Sequence, residues 1–371
     1  MIYLDHAATS FPKPRCVLEA VKDAITRAGG NPGRGGHSLS VAASELVYDS
    51  REVLARLLYV KPEQIVFTQN ATQALNIAIR TRVRHGSRIL MSDQEHNASY
   101  RVVSALSDQG IVSYDLFSAK GQVEEEIETK ISENTDILIC NLTSNVTGNS
   151  LSIPKLTSIA KRRGLYLILD ASQWLGHHPV PSELALADAV CAPGHKGLLG
   201  IQGGGFLYLK QGESLPPFLY GGSGVDSRSR QMPCVMPERY EAGTLSTPAI
   251  ASIRAGIEYI SKIGLSTIES KESRLILRLR DMLSCLPKIK IFGGENGASL
   301  LSFTHESIPC EYIADQLDRY GICVRAGFHC APLAHNAQIK SDDGAVRISL
   351  GVTNTVRDLD AAYAALVEIL R

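Results

Sequence analysis

The chain has 371 residues, 44% hydrophobic and 20% charged, a balance that excludes a disordered or fibrous chain and, at roughly 100–200 residues per domain, predicts two domains. Lys plus Arg and Asp plus Glu number 38 each, so no charge excess marks a nucleic-acid or anionic-membrane surface. Met1-Ile2-Tyr3-Leu4-Asp5-His6 lacks the basic and apolar stretches of a signal peptide, and no apolar run reaches the ~18 residues of a membrane span. The eight scattered cysteines form no Cys-x-x-Cys pair, which argues against a zinc site or disulfide framework and for a reducing, cytoplasmic setting.

In chain order, 1–14 reads as extended, with Pro12 and Pro14 breaking any helix, and 15–27 as an amphipathic helix. The glycine-rich stretch 29–36 is a loop, closed by His37, before a helix starting near Leu39. From Pro62 strands and helices alternate. Strands are expected at 64–68, 88–91, 111–115, 136–141 and 165–169, and helices at 71–82, 98–106, 124–131 and 154–163. Two apolar runs, 189–192 and 206–209, read as buried strands around a Gly-punctuated loop. Such alternation predicts a largely parallel sheet covered on both faces, with ligands outside the carboxyl ends of its strands. Long helices follow at 249–263 and 265–286. A smaller α+β unit then takes strands 298–303, 323–325 and 345–349 and helices 309–320 and 356–371.

Thr72, His96, Asn145 and Asp170 all fall just after expected strands. Thr68-Gln69-Asn70-Ala71-Thr72 joins a strand to a helix, whose N-terminus suits a phosphate; a plain helix cap is the equal alternative. A Lys in a Gly-flanked loop, as in Gly194-His195-Lys196-Gly197, is able to form a Schiff base with a carbonyl cofactor; by itself the motif reads better as a solvated Lys on a turn. Asp170, with Gln173 three residues on, supplies the strand-end carboxylate and amide that pyridoxal phosphate (PLP) enzymes present. Gly327-Phe328-His329-Cys330 offers a candidate reactive thiol, a buried structural cysteine being the alternative. The tandem His177-His178 has no carboxylate or Cys at ligand spacing and reads as surface.

Asp-x-x-Gln followed by Gly-His-Lys resembles the class V aminotransferase superfamily, and within it the cysteine desulfurases and selenocysteine lyase-like proteins. The resemblance runs from Tyr3-Leu4-Asp5 to Arg347. It implies an α/β, aspartate aminotransferase-like (fold type I) PLP-dependent transferase fold. A large PLP-binding domain would span 15–255. A small domain, 1–14 with 256–371, would carry the cysteine loop.

The resemblance also implies roles. Lys196 bears the cofactor, Asp170 faces its pyridine nitrogen, Gln173 its phenolic oxygen, and His96 stacks on its ring. Ala71, Thr72 and His195 hold the phosphate, and Asn145 lies against the cofactor and substrate. Gly243 and Thr244, in Glu241-Ala242-Gly243-Thr244, reach the phosphate of a neighbouring subunit in a homodimer. Arg347 pairs with the substrate carboxylate, with Arg325 and His37 as further substrate contacts, and Cys330 accepts the sulfur. The implied reaction takes L-cysteine (or L-selenocysteine) to alanine with a persulfide on Cys330, passed to an acceptor protein, without metal, nucleic acid or membrane. A β-lyase, epimerase or transaminase on a small amino acid, and a non-catalytic sulfur-binding partner, are the alternatives. Two departures stand out. Pro193 replaces a hydroxyl residue before Gly-His-Lys, and Phe328 replaces a His common in the desulfurases.

Overall fold

The computed structural model describes the whole chain except Arg34, Asp226, Asn296 and Arg371, and the side chain of Glu213. After β1 (Ile2–Tyr3) come α1 (Arg15–Thr26) and α2 (Ser38–Leu58). The alternating stretch follows: β2 (Ile65–Thr68), α3 (Ala71–Arg82), β3 (Ser87–Ser92), α4 (Asn97–Asp108), β4 (Val112–Phe117), α5 (Val123–Lys130), β5 (Thr135–Asn141), α6 (Ile153–Arg163) and β6 (Tyr166–Asp170). Then come β7 (Ala189–Pro193), β8 (Gly205–Leu209), α7 (Thr247–Ile263) and α8 (Leu265–Ser284). The remainder is β9 (Ile289–Gly293), β10 (Leu300–His305), α9 (Cys310–Arg319), β11 (Ile322–Cys323), β12 (Arg325–Gly327), the single turn α10 (Pro332–Ala334), β13 (Ala345–Ser349) and α11 (Val356–Ile369).

β2 to β8 form a seven-stranded sheet in the order β2-β8-β7-β6-β5-β3-β4. It is parallel apart from β8, which runs antiparallel to β2 and β7. The strands read as continuous apolar runs because both faces are covered. On β5, Ile137 and Ile139 enter one core with α3 and α4, while Leu138 and Cys140 enter the opposite core with α5, α6 and α7. Successive side chains alternate faces, so one strand feeds both cores.

The smaller unit is an antiparallel sheet, β12-β13-β10-β9. Leu301 and Phe303 of β10 pack there with Leu275 and Leu279 of α8, Ile313 of α9 and Leu359 of α11. Leu4 joins that core, and β1 pairs with β11. The N-terminal residues therefore pack with the C-terminal unit.

Three expectations need correction. The strand expected at 323–325 is two strands in different sheets, β11 and β12. The strand β9 was not anticipated, since Lys290 interrupts a short Ile-Lys-Ile-Phe run. His177 and His178 are not on the surface; they are 5% and 3% exposed. Their carboxylates come from α8, far along the chain. Nδ1 of His177 shares a 2.8 Å hydrogen bond with Glu272, and Nδ1 of His178 a 2.7 Å one with Glu269.

The His177–Glu272 pair ties the segment behind Lys196 to α8. A Cβ at Gly197 would press on the carbonyl of Leu175 and the ring of His177, so only glycine lets the two segments meet. Burial lowers the His177 pKa and Glu272 raises it, with the net direction upward. Removing one partner of a buried pair leaves the other uncompensated and costs about 3–5 kcal/mol. Glu272→Ala is therefore expected to lower the urea midpoint well below that of wild type. An unchanged midpoint would show that the pair does not hold the two units together.

Candidate active site

The carboxyl ends of the parallel strands, the cysteine loop and β13 enclose a cavity of about 310 Å³. Its lining includes Ala71, Thr72, His96, Asn145, Asp170, His195, Lys196, Arg325, Cys330 and Arg347, with Pro193 and Ser172 beside them. Residues spread over most of the sequence thus converge because each follows a strand end or lies on the facing small sheet.

Each side chain is set by local structure. Asn70 caps α3, its Oδ1 accepting from the Gln73 N–H at 2.9 Å, so the first-turn N–H groups of Ala71 and Thr72 start at the cavity wall. A Cβ at Gly205 would crowd the Asn70 backbone, so the start of β8 needs glycine to lie against this turn. His96 caps α4 through Nδ1, which accepts from Ala98 N–H at 3.0 Å. Beneath it, the buried Glu95 accepts from the hydroxyls of Ser92 and Ser99 and the N–H of Asn141. Burial pushes the Glu95 carboxyl up to about 7. Asp170 ends β6, is 2% exposed and accepts from the Ser172 N–H at 2.9 Å.

Lys196 lies half-buried in the cavity wall. Burial lowers its pKa to about 8; Asp170 opposes that shift and Arg347 adds to it. Burial likewise lowers His96 and His195 to about 4, with Lys196 adding to both. Both rings are therefore neutral at pH 7. The His195 carbonyl accepts from Ser10 N–H, Thr9 and Ser10 hydroxyls and Lys13 Nζ, which ties the lysine loop to the N-terminal segment.

The Cys330 loop is strained where it meets the cavity. His329 has φ 49° and Cys330 φ 56°, a left-handed conformation that non-glycine residues seldom adopt and that concentrates at functional sites. Asn97 N–H donates to the Cys330 carbonyl at 2.8 Å, and Asn145 Nδ2 to the His329 carbonyl at 2.7 Å. The thiol residue is exposed. Phe328 is 46% exposed, its ring 5.0 Å from that of His335.

Arg347, 2% exposed, donates from Nη1 to the Asn145 carbonyl at 2.8 Å and from Nη2 to Asp5 at 2.9 Å. Its Nε has no partner among the described residues, and the same holds for Asn145 Oδ1 and His195 Nδ1. Buried polar atoms without partners are rare. With His329 Nδ1 there are four around one cavity, Arg347 Nε a donor and Asn145 Oδ1 an acceptor, and beside a helix N-terminus and an amine of lowered pKa they make a polar set that fits an anionic, aldehyde-bearing aromatic cofactor.

Four expected residues lie elsewhere. Gln173 is buried but not in the cavity lining, and its Nε2 donates to the Ala7 carbonyl at 2.8 Å. His37 caps α2, accepting from Ser40 N–H. Gly243 and Thr244 line a different cavity of about 900 Å³, with Tyr48, Arg51, Val225 and Glu241. Glu241 is held there by a bidentate pair with Arg51 and by the N–H of Phe67. Asp5, meanwhile, had no expected role and yet holds both Arg325 and Arg347.

The fold and this lysine-centred cavity define a PLP-dependent enzyme of mixed α/β architecture with a separate smaller domain. The family model for Aminotransferase class-V matches residues 2–362, and the chain belongs to that family. It is 31% identical over 378 residues to a Methanothermobacter thermautotrophicus protein named "Probable cysteine desulfurase", covering 99% of this chain and 94% of that one. The apo structure of a cysteine desulfurase from Thermococcus onnurineus NA1 superposes with a TM-score of 0.92 at 29% identity, covering 100% of this chain and 94% of that one. The Escherichia coli cysteine desulfurase CsdA, in an S-sulfonic acid form, gives 0.88 at 28% identity, covering 99% and 94%.

A lysine amine is nucleophilic only when deprotonated. Acetylation of Lys196 by acetic anhydride, followed by peptide mass spectrometry on cofactor-free protein, is expected to rise with pH through about 8. An inflection at the ordinary lysine value would contradict the burial of this amine.

Proposed function

We propose that the protein is a PLP-dependent cysteine desulfurase that converts L-cysteine to L-alanine and leaves a persulfide on Cys330. One observation carries the reading: a strained, exposed Cys330 lines the same cavity as Lys196, Asp170 and Arg347. In this reading the thiol shares the compartment that would bind the amino acid, which a transaminase or epimerase does not require.

In this reading the first turn of α3 (Ala71, Thr72) and His195 hold the cofactor phosphate, and His96 covers the ring. Asp170 faces the pyridine nitrogen, and Gln173, outside the lining, holds the Ala7 carbonyl behind it. When bound, the cofactor supplies an electron sink for the substrate Cα. Arg347 binds the substrate carboxylate through Nε and the free hydrogens of its Nη atoms, and Asn145 orients the amino acid. Lys196, its amine free above about pH 8, takes the Cα proton. The Cys330 thiolate then attacks the substrate sulfur. The new S–S bond forms as the Cβ–S bond breaks, its electron pair remains with the carbon skeleton, and protonation gives alanine. The sum is L-cysteine plus Cys330–SH giving L-alanine plus Cys330–S–SH.

The finer parts of the reading have their own supports. The large cavity around Gly243 and Thr244 carries Tyr48 and Val225, both exposed, so we assign that face to a second copy of the chain, whose Gly243 and Thr244 complete the phosphate site in a homodimer. For the domain division at 15–255 against 1–14 with 256–371, the support is that Leu4 packs in the small-sheet core with Leu275 and the residues beyond it, while Ile257, Ile260 and Ile268 still pack in the large-sheet core. All eight cysteines are free, in keeping with a reducing cytoplasm. Among the described residues no helix is long and apolar enough to cross a membrane. The exposed Cys330 suits transfer to an acceptor protein.

Alanine release from L-cysteine in the presence of a thiol reductant tests the reading. Wild type is expected to release alanine and Cys330→Ser to lose at least about a hundredfold, the scale on which enzymes depend on an activated nucleophile. Equal rates would remove Cys330 from the chemistry and favour a β-lyase. Turnover of L-selenocysteine alone, surviving Cys330→Ser, would favour a selenocysteine lyase.

A further inference from the structure

Arg325 on β12 and Arg347 on β13 are register partners, directly opposite one another across an antiparallel pair. Like charges in that position repel. Asp5 resolves the conflict. One of its carboxylate oxygens accepts from Arg347 Nη2 at 2.9 Å and the other from Arg325 Nε at 3.0 Å. The carboxylate is buried and brought there by the N-terminal segment, where β1 pairs with β11 and Asp5 itself bridges to Ser349. Both arginines line the cavity that holds Lys196 and Cys330.

The charges leave a definite remainder. Two guanidinium groups less one carboxylate amount to a single positive charge. That charge has an identifiable place, because Arg347 Nε is buried and without a partner among the described residues. Arg325, half exposed, has its Nε committed to Asp5.

We propose that Asp5 is a specificity-determining residue. By occupying Arg325 and one edge of Arg347 it leaves room for one carboxylate, and so selects amino acids whose side chain carries no charge. The inference rests on the reading that Arg347 receives the substrate carboxylate, and it does not depend on sulfur chemistry. A second carboxylate entering the wild-type cavity finds both of the guanidinium groups that line it already paired with Asp5. With Asp5 neutral, Arg325 becomes that cation.

The test is binding of L-alanine and of L-aspartate to the PLP-loaded enzyme, followed by the change in cofactor absorbance, so that it reads binding whether or not cysteine is desulfurated. Wild type is expected to prefer L-alanine. Asp5→Asn is expected to shift the ratio of dissociation constants toward L-aspartate by about tenfold or more, since the Arg325 charge in the cavity wall is then no longer neutralised. Asp5→Glu should keep the wild-type preference. The double variant Asp5→Asn/Arg325→Gln removes the uncompensated cation along with the anion, and should return the ratio toward that of wild type. It also serves if Asp5→Asn alone fails to fold. A ratio unchanged in Asp5→Asn, or still shifted in the double variant, would overturn the proposal. A loss of thermal stability with the ratio preserved would reduce Asp5 to a structural brace, which is also a refutation. Loss of alanine binding in Arg347→Gln separates this question from the assignment of the carboxylate site, whose failure would show as binding unaffected there.

Discussion

Arg347 is a full cation held almost entirely out of water, and the small sheet is arranged to make that tolerable. Burial pulls its pKa down and Asp5 holds it up. An unpaired guanidinium in the interior would be prohibitive, so the anion must be built in. The chain supplies it from position 5, by way of a two-residue strand added beside β11. The Asn145 carbonyl supplies the second partner from the turn after β5. One buried charge thereby draws the N-terminus, the large sheet and the small sheet to a single point, and that point is the cavity.

A second constraint works from the other side. Lys196 needs an environment dry enough to lower its pKa yet open to the cavity. The loop after β7 provides it by pressing Gly197 against His177, while the His195 carbonyl is gripped by Thr9, Ser10 and Lys13. His177 is in turn fixed by Glu272 of α8. Both the lysine and the arginine are therefore seated by contacts that cross between the two units. The Cys330 loop follows the same rule, since Asn97 and Asn145 of the large unit hold its carbonyls. Closure of the cavity and packing of the two units are physically one process.

This explains what the sequence could and could not disclose. The alternating strands and helices from 62 to 209 were legible because continuous apolar runs and helical spacing are local signals. Asp170, His96 and Asn145 were legible because residues of interest fall after strand ends in such sheets. Asp5 was not. Its partners are more than 300 residues away, and nothing around Tyr3-Leu4-Asp5 marks a buried carboxylate. Separations of 95 and 91 residues likewise hid Glu272 from His177 and Glu269 from His178, which therefore resembled surface residues. The one local trace was the tandem of histidines beside Gly176, a residue with little room for a side chain against Gly197. The split between β11 and β12 was illegible for a different reason. The chain leaves one sheet and enters another within Val324, a turn that no periodicity records.

The most direct measurement is the mass of the peptide containing Cys330 after the PLP-loaded enzyme has reacted with L-cysteine in the absence of reductant. The account predicts the gain of one sulfur atom on Cys330, removed by a thiol and accompanied by one alanine per site. Alanine or pyruvate formed with Cys330 unmodified would contradict it, because the strained thiol would then stand in the cavity without taking part in the reaction.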